Sequence, residues 1–202
     1  APVTALNTAP AGHPQRAPHD QRKDRLCGYW FTDHGYRDTE ARTADLTGIC
    51  YAHYDGSGIQ EVVFPTDSPN GIGLSPDTDT LYWAETHNGR VHRRTIIAPG
   101  EVLAPAPLDL SAVLHGLPGY QLLASLAVDG EGWVCVATIV NGGITAISPD
   151  GSEVEFYETR DPITTNICFG GDDLRTAYVT CSSSGRLVSF PWPRPGLRLA
   201  HQ

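Results

Sequence analysis

The stretch Asn70-Gly-Ile-Gly-Leu-Ser-Pro-Asp77 decides the fold, because it is the clearest copy of a pattern that recurs along the chain. It is followed by Thr80-Leu-Tyr-Trp-Ala-Glu-Thr86 and then by Gly89-Arg-Val91. A short apolar run, a turn rich in Asp or Gly, and a second run of aromatic and β-branched residues are typical of neighbouring antiparallel strands. The pattern therefore predicts three consecutive strands joined by tight turns.

Two later segments repeat this order, and a fainter unit precedes it. The second strands of the four units begin at Tyr29, Leu81, Val134 and Ala177, at intervals of about 43–53 residues. Repeats of four strands at such a period are the mark of a β-propeller, whose blades bury their faces on one another around a central channel. A sandwich of unrelated hairpins is the all-β alternative.

The repeat also predicts how the chain is divided. We expect one partial propeller domain over residues 1–202, with about four blades at roughly 17–66, 67–119, 120–161 and 162–199. Fourth strands are placed at Ile59–Val63 and Glu153–Tyr157. Helical periodicity is missing, and the segment Leu110–Leu117 could form one helical turn at most.

Composition excludes several classes of protein. The 202 residues carry 14 Lys and Arg against 23 Asp and Glu, a net charge of −9, which argues against nucleic-acid binding. No apolar run approaches the ~18 residues of a membrane span, and the start lacks a signal-peptide pattern. These features predict a cytoplasmic protein with no membrane partner. Nothing in the sequence indicates the oligomeric state.

The cysteines do not suggest a disulfide framework or a zinc site, since they are odd in number, widely spaced and without a C-x-x-C pair. They are Cys27, Cys50, Cys135, Cys168 and Cys181. Cys135 and Cys168 lie within apolar runs, so we expect both to be buried as small hydrophobic side chains.

Several motifs in order carry a family resemblance. They are Ser68–Asp77 with Leu81–Thr86, Ser125–Val128, Asn141–Ile144, and Thr164–Gly171 with Asp173–Val179. From about Gly12 to Leu199 the chain resembles the gluconolactonase / senescence marker protein / luciferin-regenerating enzyme family. The resemblance implies a six-bladed β-propeller that hydrolyses lactones or related sugar-acid derivatives with a divalent cation in its channel, Ca²⁺ first and Zn²⁺ second.

The resemblance also implies a ligand set: a Glu of the first blade, the Asn of a Pro-Asn-Gly motif and an Asp of a later blade, with an Asn-Asp pair facing the substrate. Asn70 matches the Pro-Asn-Gly ligand. Aligning the inner strands sets Asn70 beside Ala124 and Thr165 and, less securely, His19. His19 and Thr165 are therefore candidates for substrate binding. Ala124 stands where the carboxylate is expected, so the catalytic residue is left unassigned.

Other segments have weaker claims to function. Gln21–Arg25 should be an apolar inner strand but is almost entirely charged, and a loop is the simpler prediction. Asp33-His34-Gly35 and Glu85-Thr86-His87 end equivalent strands, near a channel mouth or in a turn. Ser182–Ser184 lacks the G-x-S-x-G elbow and is predicted as a solvated turn.

Two functions stay open at this point. One is a metal-dependent lactone hydrolase, weakened by Ala124; the other is a non-catalytic propeller that binds or supports a partner. Four units are fewer than six, the chain has no methionine, and Phe190–Leu199 is similar to a family C-terminus. We therefore expect the chain to lack about two blades at its front, and with them the Glu ligand.

Overall fold

The computed structural model describes residues 14–25 and 28–199, and almost all of its regular structure is β. The strands are β1 (Pro18–Lys23), β2 (Gly28–Asp33), β3 (Arg37–Asp38), β4 (Thr43–Ala44), β5 (Thr47–His53), β6 (Ile59–Thr66), β7 (Pro69–Leu74), β8 (Thr80–Glu85), β9 (Arg90–Ala98), β10 (Glu101–Val102), β11 (Val113–Gly116), β12 (Leu122–Val128), β13 (Val134–Ile139), β14 (Gly143–Ile147), β15 (Val154–Glu158), β16 (Thr164–Gly170), β17 (Thr176–Cys181) and β18 (Arg186–Pro191). A 3-10 turn at Leu110–Ala112 precedes β11. No helix within the described residues has the length and hydropathy to cross a membrane.

The strands form four antiparallel blades that follow one another along the chain. Blade 1 has the order β1-β2-β5-β6, blade 2 is β7-β8-β9 with β10 and β11 both paired to β9, blade 3 is β12-β13-β14-β15, and blade 4 is β16-β17-β18. The first strand of each blade packs against the first strand of the next, so β1, β7, β12 and β16 are the inner strands. Residues 14–25 and 28–199 thus form four blades of a β-propeller, as the repeat predicts.

Alternating side chains explain why the blades stack. Along β8, Trp83 points into the apolar cluster shared with blade 1, whereas Tyr82 points into the cluster shared with blade 3. Both faces of such a strand are buried, and Trp83 is only 1% exposed. Burial of apolar surface on both sides is the main favourable term that holds blade to blade.

One glycine permits the close approach of blades 2 and 3. A Cβ atom at Gly71 would lie 2.4 Å from the backbone nitrogen of Leu126 and 2.7 Å from the carbonyl carbon of Ser125. Neither neighbour is a flexible side-chain end, so any larger residue would push β7 away from β12. The glycine after Asn70 is therefore required by packing.

Two expectations from the sequence are wrong. The segment predicted as a loop at Gln21–Arg25 lies largely in β1, where Gln21, Arg22 and Lys23 pair with Phe31, Trp30 and Tyr29. Strand pairing satisfies the backbone, and alternation leaves Lys23 exposed. Arg22 is partly buried, and the buried carboxylate of Asp24 accepts a hydrogen bond from Gly28 N at 3.0 Å.

Cys168 is exposed, contrary to the expectation of burial, whereas Cys135 is fully buried. On β16, Ile167 faces blade 3 and Cys168 points to the opposite side, which no other described blade covers. The apolar run in the sequence did not distinguish the two faces. The four described cysteines are free, and Cys27 lies outside the described residues.

The C-terminal segment returns from blade 4 to the end of blade 3. Gly130 N donates to Pro195 O at 2.7 Å, and Asp129 forms a β-bridge with Gly196. Arg194 reaches back to the carboxylate of Asp129, with 2.6 Å between Nε and Oδ2. These contacts fix the segment across the end of β12.

Candidate functional site

Each inner strand has a β-bulge near its start, and the residues singled out by the repeat lie in these bulges. The register shifts between Pro18 and Gln21, Pro69 and Ile72, Leu123 and Leu126, and Thr164 and Asn166. His19, Asn70, Ala124 and Thr165 therefore occupy equivalent positions on the four strands. Bulges are common beside functional sites, because they redirect a side chain out of the regular pleat. The binding roles of these residues stay predictions.

Asn70 has the most distinctive environment of the four. It is 7% exposed, and its Nδ2 donates to Thr86 Oγ1 at 3.4 Å. The Thr86 hydroxyl donates its own proton to Leu123 O at 2.8 Å, so its oxygen can only accept from Asn70. This orients the amide and leaves Asn70 Oδ1 buried without a hydrogen-bond partner in the described part of the chain.

The backbone around Asn70 is also held in place. Thr32 Oγ1 of blade 1 donates to Asn70 O at 2.7 Å. Asn70 is thus fixed by β2 through its carbonyl and by the residue after β8 through its amide nitrogen. A buried amide oxygen in a rigid setting, with nothing to accept from, is suited to a ligand that the described residues do not provide.

Three imidazoles lie near this end of the channel. The His19 and His34 ring centroids are 5.2 Å apart, and those of His34 and His87 are 6.2 Å apart. Burial, followed by the neighbouring rings of His19 and His87, lowers the pKa of His34. His19 and His87 are exposed. The equivalent strand ends noted in the sequence do come together here, and His19 is the third member.

Ala124 and Thr165 do not present free polar groups. Ala124 is 4% exposed and belongs to the apolar cluster between blades 3 and 4. Thr165 Oγ1 lies 2.9 Å from both Thr180 Oγ1 and Ser182 Oγ, so its hydroxyl is already paired within its own blade. Ser182 is thus part of this local pairing.

The nearby carboxylates are engaged in hydrogen bonds. Asp33 accepts from the backbone nitrogens of Arg16 at 2.9 Å and Ala17 at 2.6 Å, which positions the chain entering β1. Glu85 is 6% exposed and accepts from Trp83 Nε1 at 3.1 Å and from Asn88 Nδ2. Burial raises the pKa of Glu85, but the nearby His92, whose Nε2 lies 3.4 Å from Oε2, and the hydrogen bonds from Trp83 and Asn88 outweigh it, and the net pKa is lowered.

Asp20, which follows His19 in β1, connects three blades. Its Oδ2 accepts from Ser125 Oγ at 2.7 Å and from Ile72 N at 3.4 Å, and its Oδ1 from Gln21 N at 2.8 Å. Asp20 and Ser125 are 105 residues apart in sequence. Only the alignment of the inner strands hinted that they are neighbours.

The described residues fit a cation only in part. Asn70 offers one free, buried oxygen of the kind that a hard cation takes. Within residues 14–25 and 28–199, however, no group of three or more His, Cys, Asp or Glu could hold a metal ion. In the described part of the chain, Asn70 therefore offers one neutral oxygen, and the carboxylates near it, Asp20, Asp33 and Glu85, are engaged by protein donors.

Comparison with known proteins agrees with this architecture. The 6-deoxy-6-sulfogluconolactonase of Pseudomonas putida is 30% identical over 141 residues, which are 63% of this chain and 43% of that protein. A gluconolactonase from Xanthomonas campestris has a similar structure, with a TM-score of 0.71, 22% identity, and coverage of 93% of this chain and 61% of that one. Regucalcin from Agrobacterium tumefaciens, described as a calcium-binding protein, is also similar in structure. Its TM-score is 0.69 at 22% sequence identity, and the match covers 90% of this chain and 65% of that one.

The chain thus spans less than half of that curated relative and just under two thirds of those two structures. At these identities the structural matches establish the fold alone. The sequence pattern of one family matches residues 2–183, which is most of the chain. The protein is accordingly a member of the SMP-30/Gluconolactonase/LRE-like family.

Proposed function

We propose that the chain belongs to a lactone hydrolase that uses a divalent cation, with Asn70 as one of the cation's ligands. The observation that carries the proposal is the buried Asn70 Oδ1, held in a fixed orientation with no partner among the described residues. The substrate would be a sugar lactone or a related sugar-acid derivative, which water opens to a hydroxy acid. The sulfogluconolactonase and gluconolactonase relatives support this class of reaction.

The cation of first choice is Ca²⁺, because the free donor is an amide oxygen and regucalcin is a calcium-binding relative. Zn²⁺ is the second choice, because imidazoles lie nearby. A bound cation of either kind would polarise the lactone carbonyl and make bound water more acidic. His19, exposed beside this end of the channel, would donate to a substrate oxygen, and Thr165 would border the same substrate.

Hydrolysis of glucono-δ-lactone by the purified chain tests the proposal, measured as acid release above the buffer blank. We expect activity that EDTA abolishes and added Ca²⁺ or Zn²⁺ restores. Asn70→Ala should lower it at least 10–100-fold, since even outer-shell changes at metal sites cost that much. Asn141→Ala, at an exposed asparagine, is the matched control. Activity that is insensitive to both EDTA and Asn70→Ala would refute the role of the cation.

Ala124→Asp tests whether the missing carboxylate limits the site. Ala124 lies in the bulge equivalent to that of Asn70, so an aspartate there would add an anionic ligand. We expect Ca²⁺ affinity, measured by calorimetry in the absence of substrate, to rise at least 10-fold. An unchanged affinity in a folded variant would show that position 124 does not face the cation.

A non-catalytic propeller is the second candidate, and a specific observation favours it. The carboxylates at this end, Asp20, Asp33 and Glu85, are all engaged by protein donors. A chain that neither binds Ca²⁺ nor opens lactones, before and after Ala124→Asp, would favour this second function over the first.

A further inference from the structure

A cavity of about 190 Å³ lies among the four inner strands, apart from the free oxygen of Asn70. Its lining includes Arg22 and Asp20 of β1, Ser125 of β12 and Asn166 of β16. Asn70 is not among the lining residues. The described inner strands therefore form a second candidate binding region, which the cation proposal does not use.

Arg22 is the unusual residue of this cavity. Strand alternation places Asp20 and Arg22 on the less exposed side of β1, while Gln21 and Lys23 are exposed. Asp20 is engaged by Ser125 and Ile72, but the Arg22 guanidinium has no hydrogen bond or ion pair with any other described residue. Burial lowers the pKa of Arg22, and the charge of Asp20 opposes that change.

Other partly or fully buried arginines of the chain are satisfied. Arg194 pairs with Asp129 and Glu155, and Arg94 donates to the carbonyls of Arg93 and Ala112. A guanidinium has five donors, and withdrawing it from water without a partner is costly. Arg22 stands out because it lines the cavity and has no such acceptor among the described residues.

The cavity's chemistry indicates the kind of ligand. A guanidinium binds a carboxylate through two parallel hydrogen bonds. Asp20 and Asn166 can pair with hydroxyl groups, and Ile72 and Phe169 supply apolar walls for a carbon chain. A volume of about 190 Å³ lies below the ~300–1,000 Å³ of typical ligand pockets, which suits a small hydroxy acid better than a nucleotide.

We propose that Arg22 and the cavity around it bind the carboxylate of a small hydroxy acid, such as an aldonate. The choice of ligand class rests on the proposed lactonase function, because opening a sugar lactone yields an aldonate. The site itself does not depend on Asn70 or on a cation. The cavity would thereby retain the product, or a related acid, within the channel.

Calorimetric titration of the full chain with sodium gluconate in EDTA tests this proposal independently of any cation. Glucitol, the uncharged analogue, and inorganic phosphate are titrated in parallel. We expect gluconate to bind at one site per chain, and glucitol and phosphate to bind at least 10-fold more weakly, because neither provides both a carboxylate and a row of hydroxyls.

Variants assign the binding to Arg22. Arg22→Gln should weaken gluconate binding about 10–100-fold, the range expected for losing a hydrogen-bonded charge. Arg22→Lys should retain part of it, because the charge stays but the paired donors are lost. Lys23→Gln is the matched control, since it makes the same charge change at the adjacent, exposed residue.

The result that would overturn the proposal is equal gluconate affinity in the parent chain and Arg22→Gln, or no binding by the parent chain. Phosphate binding as tight as gluconate would reduce the site to a general anion site and refute the hydroxy-acid assignment. Gluconate binding through Arg22 in a chain without lactonase activity would uphold the site while rejecting the proposed reaction. Circular dichroism of each variant confirms folding.

Discussion

Two buried polar groups at opposite ends of the inner strands have contrasting surroundings. Asp129, at the end of β12, is fully buried and accepts from Trp133 N at 3.0 Å, Trp192 Nε1 at 3.3 Å and Arg194 Nε at 2.6 Å. Asn70, near the start of β7, is also buried, yet its Oδ1 has no partner in the described structure.

The contrast separates a group that supports the fold from one that is available for binding. Arg194 completes the Asp129 end, because it also donates to Glu155 and stacks over Trp133, with 4.0 Å from Cζ to the ring centroid. Both carboxylate oxygens of Asp129 accept hydrogen bonds from protein donors. At the Asn70 end, protein partners orient the amide nitrogen, whereas the amide oxygen has no hydrogen-bond partner among the described residues.

Asp129→Ala should be the most destabilising change. It leaves the Arg194 guanidinium buried with only Glu155 as its charged partner, and breaking a buried pair in this way costs about 3–5 kcal/mol. Urea unfolding followed by tryptophan fluorescence measures the loss. Asp172→Ala, at an exposed aspartate, is the control and should leave the free energy of unfolding nearly unchanged. A loss below 1 kcal/mol would show that the network is not essential to stability.

Gly71→Ala should rank second. The added methyl group would meet the β12 backbone, and overpacking of this kind costs about 1–3 kcal/mol. The same urea measurement applies, with Gly58→Ala as the control, because a Cβ at Gly58 would meet nothing within 4 Å. Equal stability of the two variants would mean that β7 and β12 can move apart without loss of stability, and that Gly71 is not required for their close packing.

Asn70→Ala should change stability least of these three while removing the proposed cation ligand. It loses only the 3.4 Å hydrogen bond to Thr86, so we expect the free energy of unfolding to fall by less than about 1 kcal/mol. Thermal melts with and without Ca²⁺ measure this. A loss as large as that of Asp129→Ala would place Asn70 among the groups that support the fold, and the contrast would fail.

Glu85 offers a pH test at the Asn70 end. Its pKa is held below the usual 4.5, so the folded state favours the carboxylate and gains stability that is fully present above that value. This stability is lost as pH falls through the lowered pKa. We expect Glu85→Gln to flatten the decline in unfolding free energy below pH 4.5. If the unfolding free energy of the parent chain instead rose as the pH fell, burial of Glu85 would outweigh its favourable partners, and its pKa would be raised.

Local pattern was sufficient to predict much of the fold. The alternation of apolar strands with Asp and Gly turns predicted the second strands to within one residue of where β2, β8, β13 and β17 begin. The repeat also predicted the register that places Asn70 and Ala124 in equivalent bulges. These features depend on residues that are close in sequence, so hydrophobic periodicity is sufficient to predict them.

The two wrong predictions concern residues whose burial depends on which strands and blades lie next to them in space. The charges of Gln21–Arg25 suggested a loop because an inner strand was assumed to be buried on both faces. β12 packs closely between two inner strands, β7 and β16, whereas β1 packs closely against β7 and reaches β12 through the hydrogen bond from Ser125 to Asp20. β1 can therefore remain a strand and expose its polar side. Cys168 differs from Cys135 for the same reason, since a blade face is buried only when another blade covers it.

The sequence by itself determined the strands, their repeat and the propeller architecture of the described blades, because hydrophobic period and turn residues act locally. Tertiary structure alone decided which polar groups are satisfied. The bond between Asp20 and Ser125 spans 105 residues, and the orientation of the Asn70 amide depends on Thr86 and, through it, on Leu123. Whether a buried oxygen or guanidinium has a partner depends on distances between blades, and composition does not encode those distances.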